Sequence, residues 1–259
     1  MKVITFSSMK GGVGKTTNSV LVTNCLAARG FKVLYFDLDI FNNSGTTYFT
    51  AGLDCNDLIA QKNSFEALSH NEIKKYAIHS RKENVDLIAN NINTNKLRSC
   101  GYNELSKTLK DATDYDYVII DTAPSYDNLV INALLCADLI LTPIQFSSFC
   151  ITTSQYLQTC LYDDCPNQVE KWYLLYSWWE EKLVPFETSL QSQFVKVFEN
   201  NFDNILDVHI PKTNAANNYI QTDTHINIDS PMIGNARLAK EINKLVNMIT
   251  GIEHNVQKF

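Results

Sequence analysis

Two lysines bracket a glycine-rich run close to the start of the sequence. The run reads KGGVGKTT, with Lys10 at its beginning and Lys15 near its end. A run of glycines that ends in Lys-Thr is typical of loops whose backbone N–H groups bind phosphate oxygens. In such a loop Lys15 would contact the β- and γ-phosphates, and the Thr16 hydroxyl would bind Mg²⁺. The strict pattern has its first glycine where this chain has Met9, so the loop is a deviant one with a second lysine to explain.

Two acidic segments further along the chain each end an apolar run. The first is DLD at residues 37–39, and the second is VIID, which ends at Asp121. In a phosphate-loop mechanism, carboxylates at such positions hold Mg²⁺ or orient the attacking water. A carboxylate at the end of a strand also serves as a simple cap or ion-pair partner. For Asp37 these two interpretations stay open.

Apolar, β-rich runs alternate with helix-like segments along most of the chain. Strands are predicted over residues 2–8, 32–39, 85–89, 115–121, 137–144 and 172–178. A helix is expected from about Thr16 to Arg29, where Gly30 ends it. A second, amphipathic helix near the C-terminus is marked by Leu238, Ile242, Leu245, Val246 and Ile249. This alternation predicts a single α/β domain over residues 1–259, with a mostly parallel twisted sheet and helices on both faces.

The composition is that of an ordinary globular protein of 259 residues, 45% of them hydrophobic and 19% charged. The formal net charge is −6, so any contact with nucleic acid must come from a local basic patch. Seven cysteines include no C-x-x-C pair, and the sequence opens with a strand-like run in place of a signal peptide. No apolar run reaches the length of about 18 residues that spans a bilayer. We therefore expect a cytoplasmic protein with reduced, mostly buried thiols.

The string KGGVGKTT resembles the deviant Walker A motif of the ParA/MinD superfamily of P-loop NTPases. In that family the first lysine reaches across a nucleotide-sandwich dimer to the phosphates of the partner's ATP. The resemblance implies that Lys15 serves the chain's own nucleotide, that Lys10 serves the neighbour's, and that the ATP state is a homodimer. A positive charge near the β–γ bridge would also stabilise charge that develops during phosphoryl transfer. The nucleotide-binding residues implied in this loop are Lys10, Gly11, Gly12, Val13, Gly14, Lys15, Thr16 and Thr17.

Two more segments are similar to motifs of the same superfamily. Residues 37–39 match its D-x-D, which implies that Asp39 orients or activates the attacking water near Mg²⁺. VIIDTAP matches its Walker B segment, which implies that Asp121 holds Mg²⁺. The family usually continues D-x-D with Pro-Gln, whereas this chain has Ile40 and Phe41, so the water geometry and the hydrolysis rate are open. The metal-site residues implied are Thr16, Asp39 and Asp121.

The base of the nucleotide is harder to assign from sequence. In relatives it lies against the loop after a late strand, near the IPK string of this chain, which implies Pro211 as an adenine contact. Upstream, Trp178 and Trp179 are adjacent, so at a strand end their side chains would face opposite ways. We expect these two residues to serve packing, with a partner-protein contact as the alternative.

Several branches of the superfamily carry features that this sequence lacks. An iron–sulfur branch needs a cysteine ligand shortly after the Walker B aspartate, but Cys136 follows Asp121 by fifteen residues. The MinD branch ends in a basic amphipathic membrane helix, whereas the ending here, MITGIEHNVQKF, is short and weakly amphipathic. Larger plasmid forms carry a helix-turn-helix region before the loop, for which no room is expected here. The sequence therefore looks most similar to short, Soj-like ParA partition ATPases, with no membrane partner.

This resemblance implies a slow Mg²⁺-dependent ATPase that switches between two binding states. Its ATP-bound dimer would bind nonspecific DNA, associate with the nucleoid, and be released when a ParB-like partner stimulates hydrolysis. Arg237, Lys240 and Lys244 share one face of the last helix and are the candidate DNA contacts, with a solvated helix face as the alternative. Two other functions stay open: a positioning ATPase for a non-DNA cargo, and an ATP-bound dimeric scaffold with little turnover.

Overall fold

The computed structural model describes residues 1–213 and 235–251, which form an eight-stranded sheet. The strand order is β3-β4-β2-β5-β1-β6-β7-β8, and all neighbours are parallel except β3 and β4. The strands are β1 Lys2–Phe6, β2 Val33–Leu38, β3 Ile78–His79, β4 Val85–Ile88, β5 Tyr117–Thr122, β6 Leu139–Ile144, β7 Trp172–Trp179 and β8 Ile205–Pro211. The predicted α/β class with a mostly parallel sheet is confirmed. The extent of the domain over residues 1–259 stays a prediction, because residues 214–234 and 252–259 lie outside the described part.

Helices cover both faces of this sheet. One face packs against the first helix and the last described helix, and the opposite face packs against helices within residues 64–76, 104–135 and 148–201. The helices are α1 Lys15–Ala28, α2 Ser44–Thr50, α3 Asn56–Gln61, α4 Ser64–His70, α5 Ile73–Tyr76, α6 Glu104–Thr108, α7 Asn128–Leu135, α8 Ser148–Asp164, α9 Leu190–Asn201 and α10 Ala236–Thr250. On α10 the predicted apolar face is buried at Leu238, Ile242, Leu245, Val246 and Ile249, so its amphipathic character is confirmed.

Two strands, β3 and β8, were absent from the sequence prediction. β3 has only two residues, which is too short for a periodic signal. β8 is the last strand of the sheet, and its sequence, ILDVHIP, alternates buried apolar residues with Asp207 and His209. Both strands lie at the edges of the sheet, where burial on one side only weakens the apolar pattern.

The strand order brings three functional segments to one edge of the sheet. β5 lies between β1 and β2, and the register pairs Asp121 with Phe6 on one side and with Asp37 on the other. Because parallel strands end at the same edge, the glycine loop after β1 and the aspartates of β2 and β5 meet there. This edge is where an open α/β sheet binds its ligands.

All seven cysteines are free; five are buried and two are partly buried. Within residues 1–213 and 235–251, no helix combines the length and the apolar character needed to cross a bilayer. The C-terminal ending that the sequence analysis weighed for membrane binding falls mostly on residues 252–259, outside the described residues.

Candidate nucleotide-binding site

The glycine loop turns tightly between β1 and α1. Gly12 and Gly14 have φ angles of 73° and 100°, in the left-handed region that residues other than glycine rarely adopt. Gly14 is the N-cap of α1, and its carbonyl accepts the first helical hydrogen bond from the Asn18 N–H at 2.9 Å. The free N–H groups of the first turn of α1 therefore follow the loop directly, an arrangement that binds anions.

A cavity of about 350 Å³ opens over this loop, and we call it the phosphate cavity. It is lined by Gly11, Gly12, Gly14, Lys15, Thr16, Thr17, Asp39, Phe41, Asn42, Ser44, Pro124 and Trp178. Six of the loop residues predicted to bind nucleotide therefore line one cavity with Asp39. The remaining residue of the run GGVGKTT, Val13, has a fully buried side chain in the core, so only its backbone is available to a ligand.

Lys15 is almost fully buried at the base of the phosphate cavity. Burial lowers the pKa of its ammonium group, while the nearby carboxylates of Asp121 and Asp39 oppose that shift. The structure therefore brings together the lysine and the two carboxylates that the sequence predicted as a unit. A buried cation balanced by two acids suits the binding of a strongly negative ligand with its metal ion.

Asp121 is fully buried, and its two carboxylate oxygens differ in their contacts. Oδ2 accepts a hydrogen bond from the Tyr35 hydroxyl at 3.2 Å, whereas Oδ1 has no hydrogen-bond partner among the described residues. Burial and the adjacent Asp37 raise the pKa of Asp121 to about 8, although the Thr16 hydroxyl and Lys15 act in the opposite direction. A free buried carboxylate oxygen beside a threonine hydroxyl is the type of oxygen donor set that Mg²⁺ prefers. Thr16 and Asp121 therefore fit the predicted metal site.

Asp37 and Asp39 have different roles although only one residue separates them. The Asp37 carboxylate accepts hydrogen bonds from the Thr46 N–H at 2.8 Å, the Thr46 hydroxyl at 2.7 Å and the Asp39 N–H at 3.1 Å. It is fully buried, which raises its pKa to about 7, and it is committed to fastening the segment that follows β2. Asp39 lines the phosphate cavity, and its Oδ1 accepts from the Phe41 N–H at 3.1 Å. Of the two interpretations left open for Asp37, the structure favours the structural one.

Asn90 was not among the predicted site residues, but it holds the same segment from the other side. Its side-chain amide donates to the Asp39 carbonyl and to Asn43 Oδ1, both at 2.6 Å. Its backbone N–H donates to the Thr46 hydroxyl at 2.8 Å. Asn90 comes two residues after β4 ends, so a polar side chain at the carboxyl edge of the sheet was the available signal.

Lys10 lies against the start of α8. Its ammonium group donates to Ser147 Oγ at 3.0 Å and approaches Cys150 Sγ at 3.5 Å. Ser147 is the N-cap residue of α8 and accepts a hydrogen bond from the Cys150 N–H. Nearby, the Gln145 side chain donates to the Gly12 carbonyl at 2.7 Å, which fixes the loop from β6. Lys10 is thus held within its own chain, and its role toward a neighbour's nucleotide stays a prediction.

Trp178 lines the phosphate cavity, in contrast to the packing role expected for it. Its backbone has a φ of 64°, which is strained for a bulky residue, and its side chain is 44% exposed. The neighbouring Trp179 is buried, so the two rings face opposite ways as predicted. Pro211 is buried beside Trp179 in the β7–β8 register and is not among the residues that line the cavity. Its contact with adenine stays a prediction.

The basic face predicted on α10 is largely neutralised by carboxylates. Arg237 forms an ion pair with Glu181, and Lys244 Nζ lies 2.7 Å from Asp207 Oδ2. Within the described ranges, Lys240 is exposed and is the one of the three without an ion-pair partner. Two of the three candidate DNA contacts therefore have little unpaired charge, and DNA binding by this face stays a prediction.

Comparison with known proteins identifies several similar chains. The profile of the AAA_31 family, described as an AAA domain, matches residues 1–162. The virulence plasmid ParA family protein pGP5-D of Chlamydia psittaci is 31% identical over 214 residues, covering 78% of this chain and 77% of the relative. The sporulation initiation inhibitor protein Soj of Bacillus subtilis is 32% identical over 167 residues, covering 61% of this chain and 64% of Soj.

Solved structures share the fold. A plasmid partition protein from Borrelia burgdorferi B31 bound to AMPPNP superposes with a TM-score of 0.73 at 24% identity, covering 96% of this chain and 97% of the other. The sequence matches are shorter, and the chain spans between 48% and 64% of the length of the curated relatives it matches first.

Proposed function

The chain belongs to the AAA_31 family and to the ParA/MinD superfamily, and from this premise we propose that it is an ATPase that acts as a dimeric switch in DNA partition. The observation that carries the proposal is the free Oδ1 of Asp121, buried beside Thr16 and Lys15 under a glycine loop. Such a donor set fits Mg²⁺ bound to a nucleotide triphosphate. The similarity to ParA family proteins, which include a chromosome partitioning protein of Myxococcus xanthus, supports partition as the process.

The side chains of the site divide the work of phosphoryl transfer. The loop N–H groups and the N-terminus of α1 bind the phosphates, and Lys15 offsets the negative charge of the β- and γ-phosphates. Thr16 and Asp121 would hold Mg²⁺, which would shield the phosphate charge. Asp39 orients the attacking water, and its position is set by Asn90 and by the Phe41 N–H. The proton leaves the water toward solvent or the Asp39 carboxylate.

In the proposed switch, the bound nucleotide determines whether two chains form a dimer. With ATP, two chains close over their nucleotides, and Lys10 of each contacts the phosphates bound by the other. This dimer binds nonspecific DNA, which places the ATP state on the nucleoid in the cytoplasm. A ParB-like partner stimulates hydrolysis and so releases the dimer from DNA.

A multiple-turnover phosphate-release assay tests the catalytic part of the proposal. Wild type with Mg²⁺ and ATP, in the presence of DNA, is expected to release phosphate, and Asp39→Ala is expected to lose about 100-fold of that rate. DNA binding is followed by fluorescence anisotropy with ATP, with ADP and without nucleotide, across a salt series. Release no faster than Asp39→Ala would contradict the ATPase assignment.

A second candidate, a positioning ATPase for a cargo other than DNA, is favoured by the ion pairs of Arg237 and Lys244. The two functions separate in the same experiment, because ATP hydrolysis without DNA binding at low salt supports the second. A third candidate is an ATP-bound dimeric scaffold with little turnover. It is favoured by Ile40 and Phe41, which stand where the family usually has Pro-Gln after D-x-D. It predicts nucleotide-dependent dimers with no phosphate release.

A further inference from the structure

A second cavity, of about 380 Å³, opens at the edge of the sheet beside β8 and away from the glycine loop, and we call it the edge cavity. Its lining combines aromatic and acidic side chains. The residues that matter here are Tyr176, Glu199, Phe202, Asp203, Asp207 and His209. Its volume falls within the range of sites that bind small molecules or single side chains.

The carboxylates of the edge cavity are incompletely neutralised. Asp207 forms its ion pair with Lys244, but neither Glu199 nor Asp203 has an ion-pair partner among residues 1–213 and 235–251. Glu199 also lies in the last turn of α9, where the helix dipole is negative and an acidic side chain is unfavourable. The cavity therefore has an excess of negative charge that residues 1–213 and 235–251 do not balance.

Tyr176 adds a buried polar group to the edge cavity. The residue is only 3% exposed, and its hydroxyl has no hydrogen-bond partner among the described residues. Tyr176 and Glu199 line the same cavity, and burial, followed by the charge of Glu199, raises the pKa of the hydroxyl. The ring is fixed by the rings of His209 and Phe198, with centroids 5.7 Å and 6.2 Å away. A buried hydroxyl left unpaired is unfavourable, and a ligand with N–H donors would supply the missing hydrogen bond.

The lining chemistry favours an organic cation over a metal ion. Among the described residues, no group of three His, Cys, Asp or Glu side chains is placed to hold a metal. Separated carboxylates beside aromatic rings suit a guanidinium or ammonium group, which forms several hydrogen bonds and packs on ring faces. Because β8 is the edge strand and the cavity opens along it, a peptide backbone can approach from the side.

We propose that the edge cavity binds an arginine or lysine side chain presented by a partner protein. The proposal goes beyond the ATPase function and does not depend on it, because none of these residues lines the phosphate cavity. In this assignment Glu199 and Asp203 pair with the cation, and the Tyr176 hydroxyl accepts one of its N–H groups.

The test uses the full chain and a fluorescein-labelled peptide with two arginines spaced by glycine and serine. The same peptide with citrulline in place of arginine removes the charge and keeps the shape. We expect anisotropy to report binding of the arginine peptide only. The Glu199→Gln/Asp203→Asn double variant should bind at least about tenfold more weakly, and Tyr176→Phe about three- to tenfold more weakly, since hydrogen bonds to charged groups are of that size.

Two controls make the result decisive. The double variant Glu83→Gln/Asp54→Asn changes exposed acids by the same charge elsewhere and should bind within about twofold of wild type. If it weakens binding as much as the cavity variant, or if Tyr176→Phe binds like wild type, the peptide senses only overall acidity and the proposal is overturned. Spermidine is added as a competitor of the labelled arginine peptide, at a concentration that supplies the same amount of positive charge. If spermidine displaces the peptide at that concentration, the cavity binds a free polyamine and a partner protein is overturned as its occupant.

Discussion

At the scale of single residues, the site depends on buried carboxylates that face each other across neighbouring strands. Asp121 and Asp37 are register partners, and both are fully buried. Burial raises the pKa of each carboxyl, and the charge of Asp37 adds to the shift of Asp121. Asp37 receives three hydrogen bonds and holds backbone in place, whereas Asp121 keeps a free oxygen. The hydrogen-bond partners of the two aspartates therefore give Asp37 a structural role and leave Asp121 available to bind a ligand.

The raised pKa of Asp121 gives the ligand-free protein a specific pH dependence. Its folded-state pKa of about 8 exceeds the ordinary aspartate value of 3.8, so the folded state binds more protons between these limits and stability falls as pH rises. The slope from one such group is at most about 1.4 kcal/mol per pH unit. We expect the Tm of the nucleotide-free protein in EDTA to decrease from pH 6 to pH 8.5.

Asp121→Asn isolates this effect from other titrating groups. The amide cannot ionise, so the variant lacks the slope that Asp121 contributes, and its Tm relative to that of wild type should rise from pH 6 to about pH 8. Asp37, with a raised pKa of about 7, has the same sign and leaves a smaller slope below pH 7 in both proteins. Parallel pH profiles for wild type and variant would show that Asp121 is ionised in the free protein.

Trp178 should report occupancy of the phosphate cavity. Its ring is part of the lining and is 44% exposed, so a bound nucleotide changes its contact with water. We expect AMPPNP with Mg²⁺ to change the intrinsic fluorescence of wild type, and Trp178→Phe to lose most of that change. Trp179→Phe is the matched control, because that ring is buried on the other side and should leave the signal intact. A signal that persists in Trp178→Phe would place the reporter elsewhere.

At the scale of elements, the segment between β2 and α2 is held by hydrogen bonds from both ends. Asp37 fastens it through Thr46, and Asn90 fastens it through the Asp39 carbonyl and Asn43. The segment carries Asp39, so its position decides whether the carboxylate faces the water that attacks the phosphate. Elements that must be placed to within a fraction of an ångström are usually supported by such contacts.

Asn90→Ala should therefore impair catalysis more than binding. Removing two hydrogen bonds of 2.6 Å frees the Asp39 segment, and we expect at least about a tenfold loss of phosphate-release rate. Nucleotide affinity should change by less than about threefold, because the loop and Lys15 are untouched. Asn95→Ala, an exposed asparagine nearby, serves as the control and should behave like wild type. Equal losses in rate and affinity would assign Asn90 to general stability.

Sequence reasoning succeeded where one short stretch carries the information. The glycine loop, Lys15, Asp121 and the buried strands were found because apolar runs and motif spacing are local properties. Asn90 and Trp178 were missed as site residues because the sheet order, which is not local, brings them to the carboxyl edge. The ion pairs of α10 were missed for the same reason, since Glu181 and Asp207 are distant in sequence from their partners.

At the scale of the whole molecule, the distribution of charge bears on what the chain can bind. The net charge is −6, and the carboxylates of Glu181 and Asp207 offset Arg237 and Lys244. If α10 contacts DNA, Glu181→Gln/Asp207→Asn should free both cations, raise DNA affinity at low salt and steepen its salt dependence. Anisotropy across a salt series measures both, with Glu83→Gln/Asp54→Asn as the control of equal net charge. Equal gains in the two double variants would remove α10 as the DNA face.

Assembly of two chains would require Lys10 to leave its present contacts. Its ammonium group donates to Ser147 Oγ at 3.0 Å, and a charge-assisted hydrogen bond of this kind contributes about 1.5–3 kcal/mol. If Lys10 serves a partner's nucleotide, losing that bond in Ser147→Ala should favour the dimer. We expect sedimentation with AMPPNP to show dimerisation about tenfold tighter in Ser147→Ala, and to show monomers in Lys10→Ala.

Ser147 is also the N-cap of α8, so its loss has a cost of about 1 kcal/mol in stability that must be separated from any effect on Lys10. Ser189→Ala removes the N-cap of α9 in the same way, and Ser189 has no contact with Lys10 among the described residues. Tighter dimers in Ser147→Ala, with none in Ser189→Ala, follow only if the bond to Lys10 competes with assembly. If Lys10→Ala forms dimers as well as wild type does, Lys10 acts within its own chain. Both lysines of the loop would then serve the same molecule, and no partner's nucleotide would be needed to explain Lys10.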